Sequence, residues 1–189
     1  TTAHILVIAA SNYLVQLPFE LFGVLTTWGT FTFPLVYLAT DLTVRIFGDK
    51  KARTIIFCVM IPALIISYVV SVLFFEGHYQ GITGLAEFNS FVFRIAFASF
   101  TAYVVGQLAD IKLFSRLRSN QHWWVAPSAS TIIGNFVDTV IFYGVAFWKS
   151  SDEFMAVHWP EIGAVDYLFK IFVSLLLFLP IYGIILKKL

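Results

Sequence analysis

The chain has 189 residues, of which 59% are hydrophobic and 12% are charged, and its mean hydropathy is +0.86. Soluble domains carry about a quarter charged residues, so this composition predicts an integral membrane protein rather than a soluble domain. A net charge of +1, without a basic stripe interleaved with aromatic residues, excludes a nucleic-acid-binding surface.

Six apolar runs follow one another along the chain, each near the length of about 20 residues that a membrane-crossing helix needs. Segments rich in glycine, proline and short polar residues separate them. The runs are too long for strands and do not alternate, and lipid admits only helices or closed barrels, so strands are not expected. We predict an all-α integral membrane protein, a single domain over 1–189, whose six transmembrane helices span 3–18, 28–47, 54–75, 86–111, 124–148 and 161–186.

The basic residues predict the orientation of these spans. Eight Lys and Arg residues follow the second, fourth and sixth runs, whereas only Lys149 lies in the segments on the other side. By the positive-inside rule, both termini are expected in the cytoplasm, and the odd-numbered helices run outward. The chain opens at Thr1 rather than at a methionine, so we expect further residues upstream.

Polar residues interrupt the first two spans and the loop between them. Asn12 follows Ser11 at mid-depth of the first span. Trp28, in the loop, is either an interfacial anchor or a stacking surface for an aromatic ligand. Asp41 and Arg45 are four residues apart and share a helix face. They form either a structural ion pair, in which Arg45 can also snorkel to the interface, or a gate or coupling site.

Three further residue types constrain the interpretation. Arg94 has no acid one turn away in its own span, so we expect it to contact an acid elsewhere, backbone carbonyls or lipid headgroups. Cys58 lies in an apolar run and is expected to be a buried small side chain. The four histidines are far apart and lack ligand spacing, so neither a metal nor another cofactor is predicted.

The fourth and fifth spans share a short pattern, GQLAD at 106–110 and GNFVD at 134–138. Each places a carboxamide, Gln107 or Asn135, three residues before an acid and thus on the same helix face. The similarity reflects either duplication or chance. In both cases an amide beside a carboxylate suits the hydrogen-bonding edge of a flat heterocycle.

Asp138 lies near the middle of the fifth span, where a charged carboxylate in lipid costs about 2.5 to 3.5 kcal/mol, so it must face protein, water or a ligand. Ser128, Thr131 and Asn135 lie on the same face. Such a stripe is either a helix–helix contact or the wall of a ligand path, and the central acid favours the wall of a polar cavity. Asp166 and Lys170, four apart in the sixth span, form either a plain ion pair or a functional one.

Six segments occur together and in order: ASNYLVQLP, TTWGTFTFP, LATDLTVRIFG, MIPALIISYVVS, WWVAPSASTIIGNFVDT and VDYLFK. In these segments the chain resembles the bacterial queuosine precursor transporter family, also called the vitamin uptake transporter family. The resemblance implies an inner-membrane importer of 7-cyano-7-deazaguanine and 7-aminomethyl-7-deazaguanine, which are salvaged for the queuosine modification of tRNA.

This resemblance and the chemistry of the residues together give a candidate site. The residues expected to bind the deazaguanine are Asn12, Trp28, Gln107, Asn135 and Asp138. Those expected in gating or coupling are Asp41, Arg45, Asp166 and Lys170.

Three functions are considered for a chain with these sequence features. The first is a transporter that works alone by alternating access, with the substrate and membrane lipid as its partners and a homodimer left open. The second is a substrate-binding subunit of a vitamin importer that depends on a separate ATPase, since the chain has no G-x-x-x-x-G-K-[ST] motif. The third, an intramembrane enzyme, is disfavoured because no G-x-S-x-G elbow, metal set or matched Ser/Cys–His pair occurs.

Overall fold

The computed structural model describes residues 2–33, 35, 47, 49–117, 122, 124–178 and 180. Its helices are α1 (Thr2–Leu14), α2 (described over 29–33), α3 (Asp49–Leu73), α4 (Ser90–Leu117), α5 (Val125–Phe147) and α6 (Glu153–Val173). Two short strands, β1 (Pro18–Leu21) and β2 (Val24–Thr27), lie between α1 and α2. Two 3₁₀ turns, Phe75–Gly77 and Ile82–Ala86, connect α3 to α4, and a π-helical turn, Ser174–Phe178, continues α6.

The helices pack around a core centred on α4 and α5, which form the most extensive helix pair. Ala98 and Ala102 of α4 and Ala146 of α5 are fully buried there, and such small residues let helix backbones approach closely. Tyr143 and Phe147 of α5 fill the space beside them. α6 packs against α5 and β2, while α1 packs against α3, so both pairs converge on the α4–α5 unit.

The helix boundaries agree best with prediction in α5 and least well in α6. α6 begins at Glu153, eight residues before the predicted span, because the Asp152 carboxylate caps it by accepting a hydrogen bond from the backbone N–H of Met155 at 3.0 Å. Pro160, which was expected to precede the helix, therefore lies inside it. A proline inside a helix removes one backbone hydrogen bond, which the packing of the rest of α6 offsets.

The expectation that the chain contains no strands is wrong at 18–27. β1 and β2 form an antiparallel hairpin, with Pro18 opposite Thr27, and α1 ends at Leu14 rather than at residue 18. The two turn residues, Phe22 and Gly23, have φ angles of 53° and 79°, the backbone geometry of a type I′ turn. Strands of four residues are too short for alternation to be visible in the sequence.

Gly29, at the start of α2, allows the hairpin to fold back onto the end of α1. A Cβ atom at this position would lie 2.9 Å from the backbone N and Cα of Val15. Backbone atoms cannot rotate away, so the contact requires glycine.

We expect Gly29→Ala to lower the free energy of unfolding by about 1 to 3 kcal/mol through overpacking. Gly144→Ala is the matched control, because a Cβ there meets nothing within 4 Å and alanine favours a helix. Thermal unfolding of the two purified variants in detergent measures the difference. Equal melting temperatures would show that the contact at Gly29 is not tight.

The outer faces of the helices are apolar. One helical segment in the described part of the chain, Ser128–Phe147, is long and apolar enough to cross a membrane, and three shorter apolar segments are His4–Leu14, Phe57–Leu73 and Ser90–Gly106. Cys58 is exposed on α3, so the expectation that it is buried is wrong. It lies next to the exposed side chain of Phe57, and a face that contacts lipid is as apolar in sequence as a protein core.

Arg94 of α4 contacts backbone carbonyls, one of the three environments expected for it. Its guanidinium donates hydrogen bonds to the carbonyl oxygens of Val145 and Trp148 and, at 3.3 Å, to that of Lys149. These carbonyls lie at or beyond the C-terminal end of α5, where the helix dipole favours a cation. Arg94 thus fixes the end of α5 against α4.

Candidate functional site

A cavity lies between the helices, near the middle of α3, α4 and α5, and each of α1 to α6 contributes to its wall. The empty space within it, including its open mouth, is about 490 Å³. Its polar lining consists of Ser11, Asn12, Ser99, Tyr103, Asp138 and Lys170. Its apolar lining consists of Ile8, Phe33, Met60, Ala102 and Phe142.

Two carboxylates flank one ammonium group at the edge of this cavity. The Nζ atom of Lys170 lies 2.8 Å from Asp166 Oδ2, within α6, and 3.2 Å from Asp138 Oδ2, on α5. The Lys170 ammonium also donates to the hydroxyl of Thr139 at 3.3 Å. We call these three charged residues the Asp138–Lys170–Asp166 cluster.

The cluster has an open side and a closed side. The Asp138 side chain is 19% exposed and lines the cavity, whereas that of Asp166 is 0% exposed. Behind Asp166 lie the Thr30 hydroxyl and the Tyr143 ring. On the cavity side, Lys170 Nζ lies 4.8 Å from the ring centroid of Phe33, within the range of a cation–π contact.

Asn12, in the cavity wall, has a buried hydrogen-bond acceptor. Its Nδ2 atom donates to the Ser67 hydroxyl of α3 at 2.9 Å, which fixes the amide plane. Its Oδ1 atom and the hydroxyl oxygen of Ser11 are buried without a hydrogen-bond partner among the described residues. A buried acceptor without a partner costs about 1 to 3 kcal/mol, which a bound ligand or water would recover.

Gly106 of α4 permits Asp138 to lie where it does. A Cβ atom on Gly106 would meet the Cβ of Asp138 at 3.2 Å, closer than ordinary packing allows. The glycine of the GQLAD pattern therefore packs directly on the acid of the GNFVD pattern.

The structure brings some of the residues predicted from sequence to the cavity. Asn12, Asp138 and Lys170 line it, and Asp166 lies directly behind Lys170. Asn135 is buried one turn from Asp138 but does not line the cavity, and its amide donates to the carbonyl of Thr131 in its own helix.

Other predicted residues lie elsewhere. Trp28 is half-exposed at the end of the hairpin, outside the cavity, and stacks on Phe19 with ring centroids 4.5 Å apart. Asp41 and Arg45 lie outside the described residues, as does the side chain of Gln107.

Several lining residues were not predicted from the sequence, namely Phe33, Ser99, Tyr103 and Phe142. The α4 pair carried a signal, since Ser99 and Tyr103 are four residues apart and precede Gly106 at helical spacing. The phenylalanines carried none, because the chain has 21 of them and nothing local distinguishes two. Phe33 and Phe142 contact each other edge-to-face at 5.4 Å and form the aromatic wall.

This arrangement suits a flat, polar heterocycle. Asp138 and Asn12 offer acceptors for ring N–H and amino groups, while Ser99 and Tyr103 offer hydroxyl donors for a carbonyl. The aromatic wall can contact the face of the ring.

Comparisons with known proteins show the family of this chain. The model of a family described as "Putative vitamin uptake transporter" matches residues 27–185. The chain is 59% identical, over 98% of its length and 84% of the relative's, to the "Queuosine precursor transporter" of Escherichia coli (strain K12). It is 56% identical, over 97% of its length and 83% of the relative's, to the "Probable queuosine precursor transporter" of Haemophilus influenzae. It is 31% identical, over 88% of its length and 74% of the relative's, to the "Probable queuosine precursor transporter" of Bacillus subtilis. No solved structure matches the chain.

Proposed function

Because this chain belongs to the vitamin uptake transporter family, we propose that it imports 7-deazaguanine precursors of queuosine across the bacterial inner membrane. The observation that carries the proposal is the cavity between the helices, with Asp138 and Asn12, whose amide oxygen has no hydrogen-bond partner among the described residues, in its wall. Two relatives that are more than half identical carry names that state transport of a queuosine precursor.

The chemistry of the substrate is complementary to the wall. A 7-deazaguanine presents a ring N–H and an exocyclic amino group on one edge, and both can donate to the Asp138 carboxylate. Its carbonyl can accept from Tyr103 or Ser99, and Asn12 Oδ1 can accept from a remaining N–H. The flat ring lies against Phe33 and Phe142, so shape and hydrogen bonding select a guanine-like base together.

Transport follows if the cavity opens to each side of the membrane in turn. α1 packs on α3 while α6 packs on α5, so two groups of helices meet at the cavity and can move relative to each other. The hairpin and the start of α2 join these groups. Gly29 of α2 contacts Val15 at the end of α1, and β2 contacts α6. Asp41 and Arg45 remain candidates for a cytoplasmic latch.

Counterflow in liposomes tests the proposal. Purified protein is reconstituted with unlabelled 7-cyano-7-deazaguanine inside, and entry of labelled base from outside is measured. We expect exchange that unlabelled deazaguanine inhibits. Adenine should not inhibit it, because adenine carries an amino donor at the position where a guanine carries its carbonyl acceptor. Absence of exchange by the reconstituted protein, alongside an active control carrier, would contradict the proposal.

The same experiment separates this function from that of an ATPase-dependent importer. The reconstituted protein is alone, so exchange without a partner indicates a self-sufficient transporter. If exchange appears only after addition of ATPase subunits with ATP, the chain is a substrate-binding subunit instead.

We expect Asn12→Ala to raise the KM for uptake about 2- to 10-fold, which corresponds to one lost neutral hydrogen bond. Asn89→Ala is the matched control, because Asn89 caps α4 away from the cavity by accepting from the N–H of Val92 at 3.0 Å. The control is expected to cost about 1 kcal/mol of stability and leave the KM unchanged. An unchanged KM in Asn12→Ala would remove Asn12 from the binding site.

A further inference from the structure

The cavity is closed toward the end of the bundle that carries the hairpin. In that direction the cavity-lining residues of three helices are followed by core residues that are at most 1% exposed, namely Val15 of α1, Ile95 and Ala98 of α4, and Tyr143 and Phe147 of α5. The hairpin end is the outer one in the orientation predicted from the basic residues. Cargo can therefore reach the cavity from outside only after part of this closure moves.

The hairpin is held in this closure by its base and not by its tip. Thr27, the last residue of β2, and Thr30, at the start of α2, are 0% and 1% exposed. At the tip, Phe22 is 97% exposed, and Leu21 and Val24 beside it are 41% and 42% exposed. The contacts at the base therefore decide whether the hairpin stays in place.

Three hydroxyl groups meet at the base, and we call Thr27, Thr30 and Tyr143 the hydroxyl seam. The side chain of Tyr143, on α5, lies beside the hydroxyls of Thr27 and Thr30. Thr30 accepts a hydrogen bond from the Thr26 hydroxyl at 3.1 Å. The hydroxyl oxygens of Thr27 and Tyr143, in contrast, are buried without a hydrogen-bond partner of ordinary length among the described residues.

Unpaired hydroxyls make the closed seam easier to open. A buried polar atom without a hydrogen bond has lost the bonds that water would give it, which disfavours the closed arrangement. Apolar contacts beside the seam act in the opposite direction, since Phe31 of α2 packs edge-to-face on Phe169 of α6 at 5.2 Å. These opposing contributions reduce the difference in free energy between a closed and an open arrangement, and alternating access needs a small difference.

The hairpin is joined more closely to α1 than to α5. Gly29 packs on Val15 at the end of α1 so closely that a Cβ atom on the glycine would lie 2.9 Å from the valine backbone. Across the seam, the Tyr143 hydroxyl forms no hydrogen bond to a described residue. A movement of the hairpin together with α1, away from α5, therefore breaks no hydrogen bond of Tyr143.

We propose that the hairpin is the outer gate of the transporter and that it opens at the hydroxyl seam. The hairpin moves away from α5, water enters the seam and bonds to the hydroxyls of Thr27 and Tyr143, and the cavity becomes accessible from outside. Return of the hairpin expels this water and closes the cavity. The inference rests on the proposed function for the direction of transport, although the opening itself needs no cargo.

Thiol labelling measures the opening directly. The reporter is Ser99→Cys, in the cavity wall, combined with Cys58→Ser, which removes the single natural cysteine. A membrane-impermeant maleimide is added, without cargo, to the outside of vesicles of known orientation. The rate of labelling reports how often the cavity is open to that side, and a wild-type seam without any labelling would overturn the inference.

Tyr143→Phe and Thr27→Val each remove one unpaired hydroxyl with little change of shape. The closed seam loses no hydrogen bond, whereas the open seam loses a bond to water, so both variants should favour closure. We expect labelling to slow by about 5-fold or more in each, because one unpaired buried polar atom costs at least about 1 kcal/mol. The melting temperature in detergent, measured without the reporter substitutions, should rise.

Tyr167→Phe is the matched control, because the Tyr167 hydroxyl is bonded and lies toward the other end of α5. It donates to the carbonyl of Ile132 at 3.3 Å. This variant should label at the wild-type rate and should not gain stability. Slower labelling in the control as well would show that loss of any tyrosine hydroxyl has this effect, and would overturn the assignment to the seam.

The remaining outcomes separate the gate from the proposed function. A lower melting temperature in Tyr143→Phe and Thr27→Val would show that their hydroxyls are bonded in the closed state, and an unchanged labelling rate would show that the cavity opens elsewhere. Either result overturns the inference, and the melting temperatures decide even if the reporter does not fold. Slower labelling in a protein that shows no counterflow would support the gate and contradict the proposed cargo.

Discussion

Asp138→Asn is expected to lower uptake of labelled 7-cyano-7-deazaguanine by about 100-fold or more, while the protein remains in the membrane at wild-type levels. Two charge-assisted hydrogen bonds to the substrate, at about 1.5 to 3 kcal/mol each, account for this magnitude. Folding should tolerate the change because asparagine has nearly the same shape and Lys170 keeps its 2.8 Å contact with Asp166. Uptake and immunodetection of the protein in the same membranes measure the two quantities.

Two other variants serve as comparisons for Asp138→Asn. Asp152→Asn makes the same chemical change outside the cavity and should transport normally. Asp166→Asn removes the other acid of the cluster and should keep counterflow, whereas Asp138→Asn should lose counterflow as well. If the Asp138→Asn protein disappears from the membrane, the acid is structural rather than part of the binding site.

Lys170→Met is expected to destabilise the protein by about 3 to 5 kcal/mol, because it removes the ammonium group that lies between two carboxylates, one of them fully buried. Asp166 accounts for most of this cost, since its side chain is 0% exposed, whereas Asp138 still reaches the cavity. Thermal unfolding in detergent and the amount of protein in the membrane measure the effect. Lys149→Met is the matched control, because that lysine is exposed and its side chain lies over the Trp148 ring at 5.1 Å.

A double variant checks the physical cause. Asp166→Asn together with Lys170→Met removes both the lysine and the buried acid, and we expect it to recover most of the lost stability. Such recovery would show that uncompensated charge, rather than lost packing of the lysine stem, destabilises the single variant. If the double variant is as unstable as Lys170→Met, the packing of Lys170 against Phe33 is the dominant contribution.

The helices could be predicted from the sequence because the length and apolar composition that a membrane-crossing helix needs are properties of one continuous segment. α5 begins and ends within one residue of its predicted span, since its apolar run has clear polar neighbours at both ends. The start of α6 differs from the prediction because Pro160 does not break the helix and Asp152 caps it eight residues earlier. The hairpin was missed because strands of four residues carry too little pattern.

The candidate site could be predicted only in part, because only contacts within one helix follow from sequence spacing. Asp166 and Lys170 lie four residues apart in one helix, so helix geometry alone predicted their pairing, and the 2.8 Å distance confirms it. The contact of Lys170 with Asp138 joins two helices, and no spacing within either helix encodes it. Tyr103 and Phe33 reach the cavity only through the packing of α4 and α2 around it.

The sequence by itself determined that the chain is a membrane protein of six apolar runs, that certain acids and amides need a polar environment, and which family it resembles. Composition, periodicity and spacing within one helix are local properties, and they suffice for those conclusions. Only the tertiary structure decided that Asp138 shares its lysine with Asp166, that Asn12 faces the same cavity, and that Trp28 does not. Charge balance and cavity shape depend on which helices touch, and that is set by the packing of the whole bundle.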